Sequence, residues 1–321
     1  MAKLSDILKA FAEETRLRIL RLVSLQALSV NELVEALGTG QPRISRHLAV
    51  LKRAGLVADR RDGNRTFYSM PPERLEGFPA AVWEAVLARQ ADEQFFPEDL
   101  ARCQKVLAAR KARSKDYFDA VARQWDRIKR NYISDAVPFM VVAKLLGPGA
   151  LAVDVGAGTG EALAALAATG ARVIGVDSSE KMLQVCRQRL DEAALENVEL
   201  RLGDAEALPL GDGECDTALA SMVLHHLADP AAGAREMARV VRPGGKVVII
   251  DLVSHDQEWT REVMADVWMG FSEAQVRSWL TGSGLGDVTY SASSLPSPAE
   301  EESTEKLDTF IAVASKPAAS D

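Results

Sequence analysis

Val153, Asp154 and Val155 lead directly into Gly156, Ala157, Gly158, Thr159 and Gly160. Glycines at a strand-to-helix turn let backbone approach a ligand closely, and the free amides opening the next helix favour polar or anionic groups. The GxGxG spacing departs from the GxGxxG of dinucleotide sites. Asp177 follows Gly160 by seventeen residues and closes the next apolar run, where a carboxylate can accept both hydroxyls of a ribose. Gly203, Asp204 and Ala205 end a third run, at a place suited to an adenine amino group. A separate set lies near the N-terminus. Gln41, Arg43, Ser45, Arg46 and His47 gather at the polar, N-terminal end of one helical stretch, and arginine can pair with guanine, glutamine with adenine, in the major groove. Arg60, Arg61 and Arg65 flank a turn shortly after and are available to phosphate or the minor groove.

Two different rhythms position these sets. Over the first seventy residues, apolar spacing predicts two helices, then a third opened by the capping box Ser29 to Glu32 and stopped at Gly38. Pro42 opens a fourth, whose Ile44, Leu48 and Leu51 form a core face, and Asp62, Gly63 and Asn64 turn a hairpin between strands 56–61 and 65–70. Helix, turn, helix and basic hairpin make a mainly α winged helix-turn-helix. From Leu151 onward short apolar runs alternate with helical stretches, the pattern of an α/β sheet covered on both faces. Seven strands are predicted, at 151–155, 172–177, 198–202, 216–221, 246–253, 287–290 and 308–314, with a loop over 291–306 and a frayed tail over 316–321. The expected division is 1–92 for DNA binding and dimerisation, 93–133 for a helical connector and lid, and 134–321 for the sheet domain.

Composition sets the outer bounds. A chain of 321 residues with 47% hydrophobic and 26% charged residues is expected to fold around two cores. The net charge of −8 hides an asymmetry: residues 1–70 carry 12 Lys or Arg against 7 Asp or Glu, while the rest carry 26 against 39. Only the basic end is expected to meet nucleic acid. Cys103, Cys186 and Cys215 show no CxxC spacing, which argues against a disulfide framework or a zinc knuckle. With no run of eighteen apolar residues and no signal-peptide core, a cytoplasmic protein without membrane partners is expected.

Residues 12–20 (AEETRLRIL) and 45–51 (SRHLAVL) resemble the ArsR/SmtB family of dimeric repressors, over about residues 4–90. The resemblance implies a homodimer on double-stranded operator DNA, with Val82, Trp83, Val86 and Leu87 supplying a dimer stripe. Ser29 and Asn31 stand where arsenic-sensing members place Cys-x-Cys, and 72–91 contains no histidine for zinc, so no metal is expected. Residues 115–315, carrying the glycine turn, Asp177, Asp204 and Arg242-Pro243-Gly244-Gly245 in order, resemble class I S-adenosylmethionine-dependent methyltransferases. That resemblance implies a Rossmann-like seven-stranded domain taking S-adenosylmethionine or S-adenosylhomocysteine. Asp154, Gly156, Ala157 and Gly158 would form the turn on the methionine moiety, Asp177 and Ser178 the ribose grip, Asp204 and Ala205 the adenine flank with Met182 against the ring. Ser221 and His225 would meet the sulfonium, while Tyr117 and Trp125 are candidates for a lid.

Two functions remain open on the sequence. The fusion resembles ArsR-type regulators that respond to S-adenosylhomocysteine, which implies a ligand-controlled transcriptional repressor. The alternative is an active small-molecule methyltransferase that regulates its own operon, which the complete motif series also fits, with 255–259 bordering an acceptor; no catalytic residue is assigned.

Overall fold

The computed structural model describes residues 3–70, 77–89, 95–130, 146, 149–293 and 307–318, so parts of the predicted helix over 72–91, of the loop over 291–306 and of the tail fall outside the described residues. The chain divides into two units, Met1–Arg110 and Lys111–Asp321.

In the first unit, helices α1 (Leu4–Phe11), α2 (Glu14–Leu25), α3 (Val30–Leu37) and α4 (Gln41–Arg53) surround a core with a small sheet of β1 (Leu28–Ser29), β2 (Ala58–Asp62) and β3 (Arg65–Ser69) in the order β1-β3-β2. The capping box forms as its spacing requires: Ser29 Oγ accepts from the Glu32 amide, and the Glu32 carboxylate accepts from the Ser29 amide at 2.8 Å. Gly38, at φ 62°, ends α3 in the left-handed region that glycine enters without strain. Ile44, Leu48 and Leu51 are buried, which fixes the opposite side of α4 outward. Gly63, at φ 57°, opens the two-residue turn between the antiparallel strands β2 and β3, as primed hairpin turns demand. The strand β1 was not expected; its two residues pair with Tyr68 and Phe67 and give the hairpin a third member.

Two further helices follow, α5 (Phe78–Arg89) and α6 (Phe95–Val121). Pro79 and Pro97 look like breakers in the sequence, yet each occupies a first helical turn, where no intrahelical amide is lost. The 27-residue α6 therefore runs through most of the expected helical connector over 93–133. Trp83 and Cys103 enter the first unit's core. Asp99, 1% exposed, receives Arg18 through two bonds of 2.6 and 2.7 Å and Arg102 at 2.6 Å, while Arg110 closes on Glu32 at 2.5 Å.

The second unit is built on seven strands: β4 (Leu151–Val155), β5 (Arg172–Asp177), β6 (Val198–Leu202), β7 (Cys215–Ser221), β8 (Val241–Leu252), β9 (Gly286–Ser293) and β10 (Thr309–Ser315). Their order is β6-β5-β4-β7-β8-β10-β9, parallel from β6 to β8 and antiparallel through β10 and β9. The central strands read as nearly continuous apolar runs because helices cover both faces. Leu163 and Leu166 of α7 (Glu161–Ala167) and Cys186 and Leu190 of α8 (Glu180–Glu192) fill one such layer. Chain order reverses between β5-β4 and β7, and the crevice at the carboxyl ends of those strands is where open α/β sheets hold ligands. Among the described residues, no helix is long and apolar enough to cross a membrane.

Candidate functional site

Gly156, Gly158 and Gly160 all adopt positive φ, at 73°, 53° and 85°. Space enforces glycine twice over: a Cβ on Gly156 would stand 2.3 Å from Val223 Cγ2, and one on Gly160 2.5 Å from the buried Cys186 sulfur. Gly156 and Ala157 donate backbone bonds of 2.8 and 3.0 Å to the Val176 carbonyl, which ties the turn to the end of β5. Asp177, the last residue of β5, accepts from the Gly158 amide through Oδ2 at 2.8 Å and from the Ser179 amide through Oδ1 at 2.8 Å. Glycine turn and acidic residue thus form one rigid constellation. Burial pushes the Asp177 pKa up, opposed by the Ser179 and Gly158 amides.

These groups open onto a cavity of roughly 940 Å³, a volume that takes in its open mouth. Asp154, Gly156, Ala157, Gly158, Asp177, Ser178, Met182, Asp204, Ala205, Ser221 and Trp125 all line it. Phe118, Thr159, Val223 and His226 line it too and were missed. Phe118 stacks edge-on with Trp125 at 5.0 Å and with His226 at 4.7 Å, an aromatic wall that the Asp116–Asp126 segment signalled only through Tyr117 and Trp125. Tyr117 is not among the lining residues; its hydroxyl donates to the Val263 carbonyl and its ring rests on Phe118.

The expectation for His225 also needs correction. It is 1% exposed and does not line the cavity, because the 3₁₀ turn Leu224–His226 points adjacent side chains in different directions. His226, expected to be packed or exposed, faces the cavity instead. His225 Nδ1 lies 2.6 Å from Asp251 Oδ1. Burial opposes charge on His225, but Asp251 and Asp266 outweigh it and raise its pKa. Burial and then the neighbouring His225 hold His226 well below the ordinary histidine range. Asp266 is pushed up to about 6 by burial.

Asp204 is engaged from α6. Lys111 Nζ sits 2.8 Å from Asp204 Oδ2 and 2.8 Å from Glu206 Oε2, while Asp204 Oδ1 accepts from the Glu206 amide at 2.8 Å. Burial works against the Lys111 charge, and the two carboxylates more than offset it, so its pKa rises. About two turns further along, Asp119 accepts from the Ser179 hydroxyl at 2.5 Å.

On the first unit, Gln41, Arg43, Ser45 and Arg46 are exposed along the outer side of α4. Arg43 bonds Thr15 at 2.9 Å and Arg46 bonds the Pro42 carbonyl at 3.2 Å, so both guanidiniums are anchored near the helix start with donors to spare. His47 is half-buried, with Nδ1 3.4 Å from Glu13, which turns it partly away from the outer surface. Arg61 and Arg65 are exposed on the hairpin and Arg60 is half-buried.

Comparison with known proteins assigns both units. Residues 13–59 match the family described as bacterial regulatory protein, arsR family, and residues 153–249 match the family described as methyltransferase domain. The chain therefore carries an ArsR-type DNA-binding domain and, on a Rossmann-like sheet, a methyltransferase domain. It is 46% identical over 105 residues to a 37.1 kDa protein in transposon TN4556 of Streptomyces fradiae, covering 32% of this chain and 30% of that one. It is 37% identical over 138 residues to a demethylmenaquinone methyltransferase of Clavibacter sepedonicus, covering 42% of this chain and 56% of the relative. The chain thus spans about half or less of the length of these relatives. One chain of a complex between the Haloferax volcanii Trm112 methyltransferase activator and a candidate methyltransferase superposes with TM-score 0.52 at 24% identity, over 62% of this chain and 97% of that one; this likeness concerns the fold alone.

Proposed function

We propose that this protein is a transcriptional repressor whose methyltransferase-fold domain binds S-adenosylmethionine or S-adenosylhomocysteine as an effector, and that it acts as a homodimer on operator DNA. The observation that carries the reading is Asp177 in the cavity lining, bridging the Gly158 and Ser179 amides. A carboxylate locked by two backbone donors keeps lone pairs in fixed directions, which suits the paired hydroxyls of a ribose. Adenine would then lie towards Asp204 and the methionine moiety over the glycine turn.

Control by a ligand requires that it bind two conformations unequally. Support for such a difference comes from α6, where Arg110 grips Glu32 in the first unit and the next residue, Lys111, grips Asp204 and Glu206 in the second. A nucleoside that draws Asp204 to its adenine competes with Lys111 and changes the footing of that helix. A second reading, methyl transfer to a small acceptor, is supported by the aromatic wall of Phe118, Trp125 and His226 beside the expected sulfonium position. Transfer rests chiefly on alignment of acceptor and methyl group, so an enclosing wall suits it.

Calorimetry with each nucleoside, followed by operator gel shifts across the same titrations, tests the regulator. Tight binding with an operator affinity that changes on saturation is the expected result; an operator affinity indifferent to both nucleosides defeats the reading. Replacing Arg46 by Ala is expected to weaken operator binding by about 1–3 kcal/mol and to relax preference at one base pair. Equal weakening on operator and random duplex would place Arg46 on phosphate instead.

A further inference from the structure

His225, His226 and Asp266 form a buried cluster beside the cavity, of which only the His226 ring faces the proposed nucleoside site. His225 Nε2 and His226 Nδ1 approach the same oxygen, Asp266 Oδ1, at 3.7 and 3.8 Å, and the three donor atoms lie within 4.8 Å of one another. These gaps exceed hydrogen-bond distance. Among the described residues, neither nitrogen of His226 and neither oxygen of Asp266 has a partner of full hydrogen-bond geometry, although both residues are buried; the Ala265 backbone and the Thr260 side chain interact with them only loosely. Leaving such groups unmatched away from water costs on the order of 1–3 kcal/mol each.

The charge balance points the same way. Asp251 and the Asp266 side chain are both 0% exposed. Arg261, the other cation bearing on Asp266, already pairs with Glu258 at 3.5 Å and donates to the Val267 carbonyl at 2.6 Å. Two buried carboxylates beside two buried imidazoles make a cluster of cation-ligating atoms.

We infer that His225, His226 and Asp266 form a binding site for one first-row divalent cation, with Zn²⁺ the best match to two imidazoles and a carboxylate. Ligands on a tetrahedral ion with bonds of about 2.1 Å stand about 3.4 Å apart, so the two His–Asp separations of 3.7 and 3.8 Å need close by only a few tenths of an ångström, and the two imidazoles, within 4.8 Å of each other, by up to about 1.4 Å. The supporting shell is in place: His225 directs Nδ1 to Asp251, whose oxygens also accept from the Leu224 amide at 2.9 Å and the Leu252 amide at 2.7 Å. A carboxylate behind a ligating imidazole orients it and leaves the far nitrogen for the metal. An imidazole nitrogen ligates a metal only without its proton, so uptake at this site would compete with protons. Because His226 lines the cavity, water or a Lewis-basic atom of a cavity ligand could reach the ion as a fourth ligand from that side.

The test uses the full chain, stripped with a chelator and titrated with Co²⁺ as a spectroscopic probe. One equivalent per chain is expected, with the visible bands of a four-coordinate site, displaced by Zn²⁺. His226→Ala and Asp266→Ala should each weaken Co²⁺ binding at least tenfold, while the double substitution His47→Ala and His255→Ala, which removes the other two of the four histidines, should change it less than twofold. Absence of saturable Co²⁺ uptake by the folded chain, or uptake that survives His226→Ala, overturns the assignment. Should Asp266→Ala fail to fold by circular dichroism, His226→Ala alone decides. The titration needs no nucleoside, so this inference and the proposed effector site fail separately.

Discussion

Asp177→Ala is expected to reduce binding of S-adenosylmethionine and S-adenosylhomocysteine alike by a hundredfold or more in calorimetry. Two hydrogen bonds to a charged acceptor are worth about 3–6 kcal/mol together, and each 1.4 kcal/mol is tenfold in affinity. The loss is compounded because the same carboxylate holds the Gly158 and Ser179 amides, so its removal also releases the turn. Asp177→Asn should be nearly as damaging, since its amide nitrogen must face one of two backbone donors or the ribose. Operator binding without nucleoside should stay within twofold of the parent, which separates a ligand defect from general unfolding. An Asp177→Ala protein that binds either nucleoside with parental affinity would remove the basis of the proposed effector site.

A comparably large effect is expected on stability at the other end of the chain. Arg110 is 5% exposed in its side chain and Glu32 17%, and removing one member of a buried pair costs about 3–5 kcal/mol because the other charge is stranded. Arg110→Ala should therefore lower the denaturation midpoint of the first unit, followed by hydrogen exchange in α3, while Arg110→Met with Glu32→Met should recover most of the loss. The pH dependence has a definite sign. Burial tends to raise the Glu32 pKa, but Arg110 and the Ser29 donors outweigh it and hold it below its ordinary value. The unfolded chain then binds the proton more readily, so this stabilisation is complete above the ordinary carboxylate range and is lost as pH falls through the depressed folded value. Without Arg110 only burial and the Ser29 donors remain, and acid unfolding should begin at a higher pH. An acid limb unchanged by Arg110→Ala would contradict this account.

Much of this architecture was readable from residue order. The Ser29–Glu32 box, the stop at Gly38 and the strands Leu151–Val155, Arg172–Asp177 and Val198–Leu202 follow from local rules that tertiary context reinforces. The glycine turn and Asp177 were legible because each demands a residue type at a fixed place in a strand-to-helix unit. Other features leave no such trace. Arg110, Asp99 and Glu32 look like ordinary surface charges until helices far apart in sequence bring them together. The continuity of α6 was hidden by Pro97, whose effect depends on whether it opens a helix or interrupts one. The exchange of roles between His225 and His226 arises in a single 3₁₀ turn, too short for periodicity to show which neighbour faces inward.

The packing that forbids a side chain at Gly160 also makes the thiols useful reporters. Cys103 lies in the core of the first unit, Cys186 and Cys215 are buried in the second, and burial pushes the latter two up to about 12. Neither sulfur in the second unit is an effective nucleophile at neutral pH while its surroundings stay closed. Alkylation at Cys103 consequently clocks opening of the DNA-binding unit, and alkylation at Cys186 or Cys215 clocks opening of the other, so one reagent and a mass spectrum can time the two events in the same sample without any engineered label.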